Sequence, residues 1–432
     1  MAENTREIVL DMLLALERGE AYSHKLMSAV LDKYNYLEAQ EKAFMKRLAE
    51  GTIERKIELD YVLDQFSGVP VRKMKPLIRC LMRMSVYQLL YMDSIPDSAV
   101  CNEAVKLAAK RKFQNLKGFV NGVLRTVARS RGQIRMPDRE KEPLLWMSIR
   151  YSMPVWILEL WRKQYGEERT LSMLESLEKV HPVTIRFRQD LEETVREKYL
   201  EEMKALGVVA AAPMPGQPAY ARQLLKTEGI ASLPGYEEGA FTVQDISSML
   251  AVEAALIGKE DFVVDICAAP GGKSLLAAEK AAQVLSRDVS EAKLSLIEEN
   301  AERMQAFNLR AQVWDATVTD QELLGKADVV LMDVPCSGLG VMGKKRDIKY
   351  RLLPENLESL EQLQKQIVSA SWQYVKKGGV LLYSTCTVRK EENEKMCDWI
   401  CKEFPFELEE QRQFFPGEDA CDGFFYARLR RK

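Results

Sequence analysis

Two cysteines in the 432-residue chain stand where a side chain could do covalent chemistry. Cys336 lies in the run Asp333-Val-Pro-Cys-Ser-Gly-Leu-Gly340 and Cys386 in Tyr383-Ser-Thr-Cys-Thr387, each after a short apolar run that reads as a buried strand. A thiolate is an effective nucleophile at neutral pH even when only a small fraction is ionised. A third run, Val263–Ser274 (VVDICAAPGGKS), passes from strand through the turn Pro270-Gly271-Gly272 into a helix. Glycines in such a turn let backbone N–H groups approach a nucleotide-like ligand. A phosphate-binding P-loop fails, because its first glycine would fall at position 267, which is cysteine. Asp288 follows Asp265 by 23 residues, the spacing at which a carboxylate typically grips ribose hydroxyls. Asp315 and Asp333 stand after the next two strand candidates, so acidic side chains and the glycine turn share one rim and form a ligand pocket.

The elements that must position these residues are legible as patterns. Strand candidates at 262–266, 284–287, 311–314, 328–332 and 379–384 alternate with helical stretches at 291–306, 355–375 and 391–403. Strands spaced by helices predict a mostly parallel, doubly wound α/β sheet with ligands at the carboxyl ends of its strands. Before it, a helix at 154–165, a strand at 182–187, a helix at 191–206 and a strand at 208–212 predict a small α/β unit. Residues 1 to about 135 read as all-helical: Ile8, Met12 and Leu16 recur at helical spacing, as do Phe119, Val120, Val123, Leu124 and Val127. Three domains are expected, at 1–138, 139–235 and 236–432.

Composition narrows the class. The chain is 47% hydrophobic and 29% charged, with no low-complexity tract, which predicts a globular protein. No apolar run approaches the roughly 20 residues of a membrane span, and the N-terminus lacks a signal-peptide layout, so a cytoplasmic location without membrane contact is expected. The eight cysteines form no CxxC pair and there are only two histidines, which favours thiols over disulfides or a metal site. Residues 1–150 hold 26 Lys+Arg against 19 Asp+Glu although the whole chain has a net charge of −2. The excess is concentrated at 66–135, with 14 basic and 3 acidic side chains, a nucleic-acid footprint.

The stretches IPDSAVCNEAVKLAAKR (95–111) and KGFVNGVLR (117–125) resemble the NusB-like helical bundle, which implies RNA contact through the basic helical face. DICAAPGGKS, LMDVPCSGLG and YSTCTV together resemble the NOL/NOP/Sun family of RNA cytosine-5 methyltransferases, which use S-adenosyl-L-methionine. The likeness runs over nearly the full length, including GAFTVQDISSML (239–250) and DGFFYARLRR (422–431). It departs at Gly343-Lys344-Lys345-Arg346-Asp347, where a more Arg/His-like basic loop is expected.

The resemblance implies a NusB-like bundle, a small α/β connecting domain and a Rossmann-like methyltransferase domain. It also implies roles. Cys386 would add to C6 of cytosine, Asp333 would hold the base near N3, and Cys336 would assist loss of the C5 proton. Asp288 would bind the cofactor ribose and Asp315 the adenine side. The segment Cys267, Ala268, Ala269, Pro270, Gly271, Gly272 and Lys273 would hold the methionine part, with Asp333 at its edge. Small-subunit (16S) ribosomal RNA is the implied partner, with no DNA, no metal and a monomeric enzyme. Three alternatives remain open on the residues alone. An amino-group methyltransferase commonly carries Asp/Asn-Pro-Pro-aromatic where this chain has Asp333-Val-Pro-Cys. A DNA cytosine-5 enzyme would use the Pro-Cys thiol as nucleophile. A non-enzymatic RNA chaperone or antitermination-type module would leave the cysteine pair and the acidic rim without purpose.

Overall fold

The computed structural model describes residues 4–179, 182–225 and 229–432. The chain packs as two compact units: Met1–Leu174 with Met342–Arg351, and Glu175–Val341 with Leu352–Lys432. The segment expected as a middle domain at 139–235 is thus divided between them.

The first unit is helical. Its central helix, Pro76–Tyr91, is buried almost continuously from Ile78 to Leu89, the pattern of a helix surrounded on all sides. Around it pack Thr5–Glu17, Ala39–Glu54, Lys56–Phe66, Asp97–Lys110 and Lys117–Arg129, each presenting one apolar stripe. Asn4 caps the first helix, its side chain accepting from the Arg6 and Glu7 N–H groups. The ten residues 342–351 belong to this unit. Asp347 accepts from the Ser23 N–H at 3.0 Å, Tyr350 donates its hydroxyl to Glu54 O at 2.8 Å, and Arg346 pairs with Glu54. Asp347 and Lys349 are buried there, so this basic loop is packed largely within the helical unit. The reason is charge: Glu50 and Glu54 receive Arg346. Internal pairing also takes up part of the basic excess, with Arg79 and Arg83 on Glu17, Lys110 on Glu7 and Arg131 on Asp97.

The second unit holds two sheets. The smaller comprises β1 (Val183–Phe187), β2 (Val209–Ala211), β3 (Ala221–Leu225) and β4 (Phe241–Val243) in the order β2-β3-β1-β4, all antiparallel. Ile185, Phe187, Met203, Leu224 and Phe241 give it its own core. Its last strand lies beyond 235, within the stretch expected to open the methyltransferase domain. The larger sheet contains β5 (Phe262–Asp265), β6 (Gln283–Asp288), β7 (Leu309–Val313), β8 (Ala327–Asp333), β9 (Val375–Thr385), β10 (Phe406–Phe414) and β11 (Phe424–Arg431). Their order is β10-β11-β9-β8-β5-β6-β7, with β5 to β9 parallel and β11 antiparallel to both β9 and β10. The five expected strands are all present, and β10 and β11 are additions. Val264, Val330, Leu381 and Phe425 pack on one face of the sheet, and Val263, Leu331, Leu382 and Tyr426 on the other.

Candidate active site

From β5 the chain winds off in both directions, to β6 and β7 on one side and to β8 and β9 on the other. That reversal leaves a crevice outside the carboxyl ends of β5 and β8, where open α/β sheets bind ligands.

After β5 the backbone folds back on itself. The Ala268 N–H donates to Arg287 O at 2.8 Å and the Gly271 N–H to Ala268 O at 2.7 Å. Gly271 has φ 101°, in the left-handed region that disfavours a side chain. Asp265 ends β5 and is buried; Ser274 donates its hydroxyl to Oδ2 at 2.6 Å, while Oδ1 has no hydrogen-bond partner. Burial pushes this carboxyl up to about 7. Burial, then the nearby Asp265, Asp288 and Asp333, also pushes the Cys267 thiol up, which keeps that cysteine protonated and a poor nucleophile.

The acidic rim divides. Asp288, at the end of β6, is fastened to the turn: Oδ2 accepts from the Ala269 N–H at 3.2 Å, and Oδ1 from the Val289 N–H at 2.8 Å and Lys293 Nζ at 2.9 Å. Asp315 is exposed and engaged in its own loop, accepting from the Thr317 hydroxyl at 2.7 Å and its N–H at 2.9 Å, bonds that lower its pKa. Asp333, ending β8, accepts from Lys273 Nζ at 2.7 Å and from the Ser384 hydroxyl at 2.8 Å. Lys273, expected in the methionine cradle, therefore directs its ammonium to Asp333 and over the Phe424 ring. Burial disfavours its charge, but Asp333 outweighs this and raises its pKa.

The two cysteines, 50 positions apart in sequence, meet. Their sulfurs are 3.2 Å apart, and the Cys386 N–H donates to Cys336 Sγ at 3.3 Å. The separation is well beyond a disulfide, and all eight cysteines are thiols. Parallel pairing of β8 with β9 sets the loops side by side, with Asp333 opposite Ser384. The Gly340 N–H then donates to Cys386 O at 3.1 Å, and a Cβ on Gly340 would lie 1.9 Å from Gly423 O, so only glycine fits. The hydrogen bond with Cys386, then burial, push the Cys336 thiol up. The pair, the Lys273–Asp333 ion pair and the glycine turn make a site suited to covalent addition to an electrophilic ring. Ser384 and the buried dipeptide Glu392-Asn393 behind the cysteines escaped the sequence reading. The signal for the dipeptide was its position soon after the second cysteine motif, in the charged run Lys390–Lys395.

Among the described residues, no group of His, Cys, Asp and Glu could hold a metal ion, and no helix is long and apolar enough to cross a membrane.

Residues 255–430 match the family described as 16S rRNA methyltransferase RsmB/F, and residues 3–129 match the NusB family. The probable ribosomal RNA small subunit methyltransferase B of Bacillus subtilis (strain 168) is 33% identical, over 99% of each chain. The ribosomal RNA small subunit methyltransferase B of Escherichia coli O7:K1 is 30% identical, over 96% of each. Two solved structures, each 23% identical, share the fold. One, of PH0851, covers 100% of both chains with a TM-score of 0.83. The other, of NSun6 from Pyrococcus horikoshii with SFG, covers 63% of this chain and 97% of its own with a TM-score of 0.56. The larger sheet with its helices is the fold of S-adenosylmethionine-dependent methyltransferases. With a NusB domain ahead of an RsmB/F methyltransferase domain and such identity over its whole length, this chain belongs to the family of ribosomal RNA small subunit methyltransferases.

Proposed function

We propose that this chain methylates C5 of a cytosine in small-subunit ribosomal RNA through a covalent adduct to Cys386. The observation that carries the reading is the convergence of Cys336 and Cys386, 3.2 Å apart, beside Asp333 and Lys273. The fit to a bound cofactor is supported by the glycine turn at Gly271, by Asp288 fastened to Ala269, and by the unpartnered buried oxygen of Asp265. Cys267 to Lys273 and Asp288 would hold S-adenosylmethionine, with Asp315 toward the adenine; when bound, it supplies the electrophilic methyl group. Cys386 adds to C6 of the base, which makes C5 nucleophilic. Asp333, oriented by Lys273 and Ser384, would share a proton with N3 of the base, so that the negative charge placed on the ring by the addition is neutralised. Once C5 carries the methyl group, Cys336 assists departure of the C5 proton, the C6–S bond breaks and Cys386 is returned. The exposed Arg72, Lys73, Lys112, Lys117, Arg125 and Arg129 of the helical unit support binding to RNA phosphates.

The test is a pair of variants of the full chain incubated with a small-subunit ribosomal RNA transcript and S-adenosylmethionine. Cys386→Ala is expected to form no adduct and no product, and Cys336→Ala to accumulate a denaturant-stable protein–RNA complex only when S-adenosylmethionine is present. The reverse pattern would make Cys336 the nucleophile, as in a DNA-type Pro-Cys mechanism, and adducts from neither would end the covalent reading.

A further inference from the structure

Behind the two cysteines lies a polar network that touches neither sulfur yet holds both loops. Glu392 is fully buried and accepts from the Ser337 N–H at 2.9 Å, from the Ser337 hydroxyl at 2.5 Å and from Gln364 Nε2 at 3.0 Å. Ser337 is the residue after Cys336. Asn393, also fully buried, accepts from the Thr385 hydroxyl at 2.6 Å and donates to Thr387 O at 3.0 Å and to Gln413 Oε1 at 2.6 Å. Thr385 and Thr387 flank Cys386. A hydrogen bond of 2.8 Å between the Ser337 and Thr387 hydroxyls closes the ring.

The network is costly for a purely structural device. Burial pushes the Glu392 carboxyl up, and an apolar pair would fill the same volume without desolvating a charge. Its neighbour Arg389 lies 3.9 Å away and is paired more closely with Glu361 at 2.5 Å, so Glu392 is not there to balance that cation. Beside its bond from Gln364, the carboxylate fixes both the backbone and the side chain of the residue next to Cys336. We infer that Glu392 and Asn393 are positioning residues that set the two thiols in register, Glu392 for the proton-handling Cys336 loop and Asn393 for the nucleophilic Cys386 loop. The inference rests on the roles proposed above for the two cysteines. Because catalysis by held groups is lost steeply with displacement, a shift of about 1 Å costs on the order of a hundredfold in rate.

The two arms predict opposite kinetic faults. Single-turnover reactions of the full chain with the RNA transcript and S-adenosylmethionine separate adduct formation from adduct release. Glu392→Ala is expected to form the adduct at close to the native rate and release it about ten- to a hundredfold more slowly, a milder form of the Cys336→Ala fault. Asn393→Ala is expected to slow adduct formation by a similar factor. Glu392→Gln keeps an oxygen for the Ser337 N–H and an amide to donate to the Ser337 hydroxyl, and is expected to restore release to within about threefold. S-adenosylmethionine affinity, read by calorimetry, stays native in all three, which separates misplacement from collapse of the fold. If Glu392→Ala does not fold, Ser337→Ala removes the hydroxyl half of the same arm, leaving the backbone N–H on the carboxylate, and must show slowed release of smaller size. Native release in a folded Glu392→Ala or Ser337→Ala, or equal slowing of both steps in every variant, overturns the inference. Loss of adduct in the Cys336→Ala control would instead sink the assignment of the cysteines and leave the clamp without its premise.

Discussion

Glu17 in the helical unit and Asp265 in the methyltransferase unit are both withdrawn from water, and burial by itself would raise the pKa of either. Around Glu17 stand Arg83 at 3.0 Å, Lys56 at 3.8 Å and Arg79, while Asp60 takes two nitrogens of Arg83 at 2.6 and 2.7 Å. The opposite charges win, and the Glu17 carboxyl is lowered. Asp265 receives one serine hydroxyl and keeps an oxygen without a partner, and it is raised to about 7. Lys273 also pulls the Asp265 carboxyl down, so a buried carboxylate follows its burial where the cations near it do not outweigh that burial. Around Glu17 the charges are closed by one another, while at Asp265 an acceptor is left open.

The contrast can be broken most directly at Glu17. Glu17→Ala leaves Arg79, Arg83 and Lys56 crowded without their shared anion and is expected to destabilise the helical unit by about 3 kcal/mol. Urea unfolding followed by circular dichroism measures it, and a loss below roughly 1 kcal/mol would mean that water screens the cluster.

Asp265 gives an intermediate effect with a distinct pH signature. Its folded pKa lies above the unfolded value of about 4, so the protonated form favours folding; that contribution is full below about pH 4 and is lost as pH rises through 7. Stability of the wild type relative to Asp265→Asn is therefore expected to fall by about 2 kcal/mol between pH 5 and 7. Thermal melts of both proteins across that range check it, and parallel pH profiles would show that the carboxyl is better solvated than its burial implies.

The smallest effect is expected where exposure is greatest. Lys106 pairs with Glu103 at 2.8 Å on the helix Asp97–Lys110, with 72% of its side chain exposed. Lys106→Ala is expected to change stability by less than about 0.5 kcal/mol. A loss approaching that of Glu17→Ala would erase the distinction between closed and solvated pairs.

How far the chain could be read follows from what each element does with its residues. β5 and β8 were visible because both faces are covered, which writes them as continuous apolar runs, whereas the edge strand β7, LRAQV, was legible mainly from its place in the strand–helix alternation. β10 escaped because Phe406–Phe414 reads FELEEQRQF, an edge strand whose outward side chains are charged. β11, reading FFYARLRR, carries three arginines and was recognisable only as part of a resemblance. β4 is three residues long and carries too little pattern to register. The two cysteine loops were legible from residue type and place, since both follow strands that pair. Their common support was not: Glu392 and Asn393 sit in the charged run Lys390–Lys395, and only folding distinguishes two buried members from their solvated neighbours. Asp315 shows the converse. Its position after β7 drew it into the expected rim, and the structure adds what the sequence did not show, that one carboxylate oxygen accepts from both the hydroxyl and the N–H of Thr317.

The ten residues 342–351 also impose a timetable on synthesis. The helical unit comprises residues up to 174 and then these ten, so its last piece leaves the ribosome 177 residues after the preceding one. At synthesis rates of roughly 5–20 residues per second, that is a delay of about 10 to 35 seconds. Throughout it, Glu54 O and Ser152 O lack the Tyr350 hydroxyl, Ser23 lacks the Asp347 carboxylate, and Glu50 and Glu54 lack Arg346. The nascent bundle must therefore persist in an unfinished form while most of the methyltransferase sheet is still being made, and a truncation after residue 174 captures that immature species rather than the finished unit.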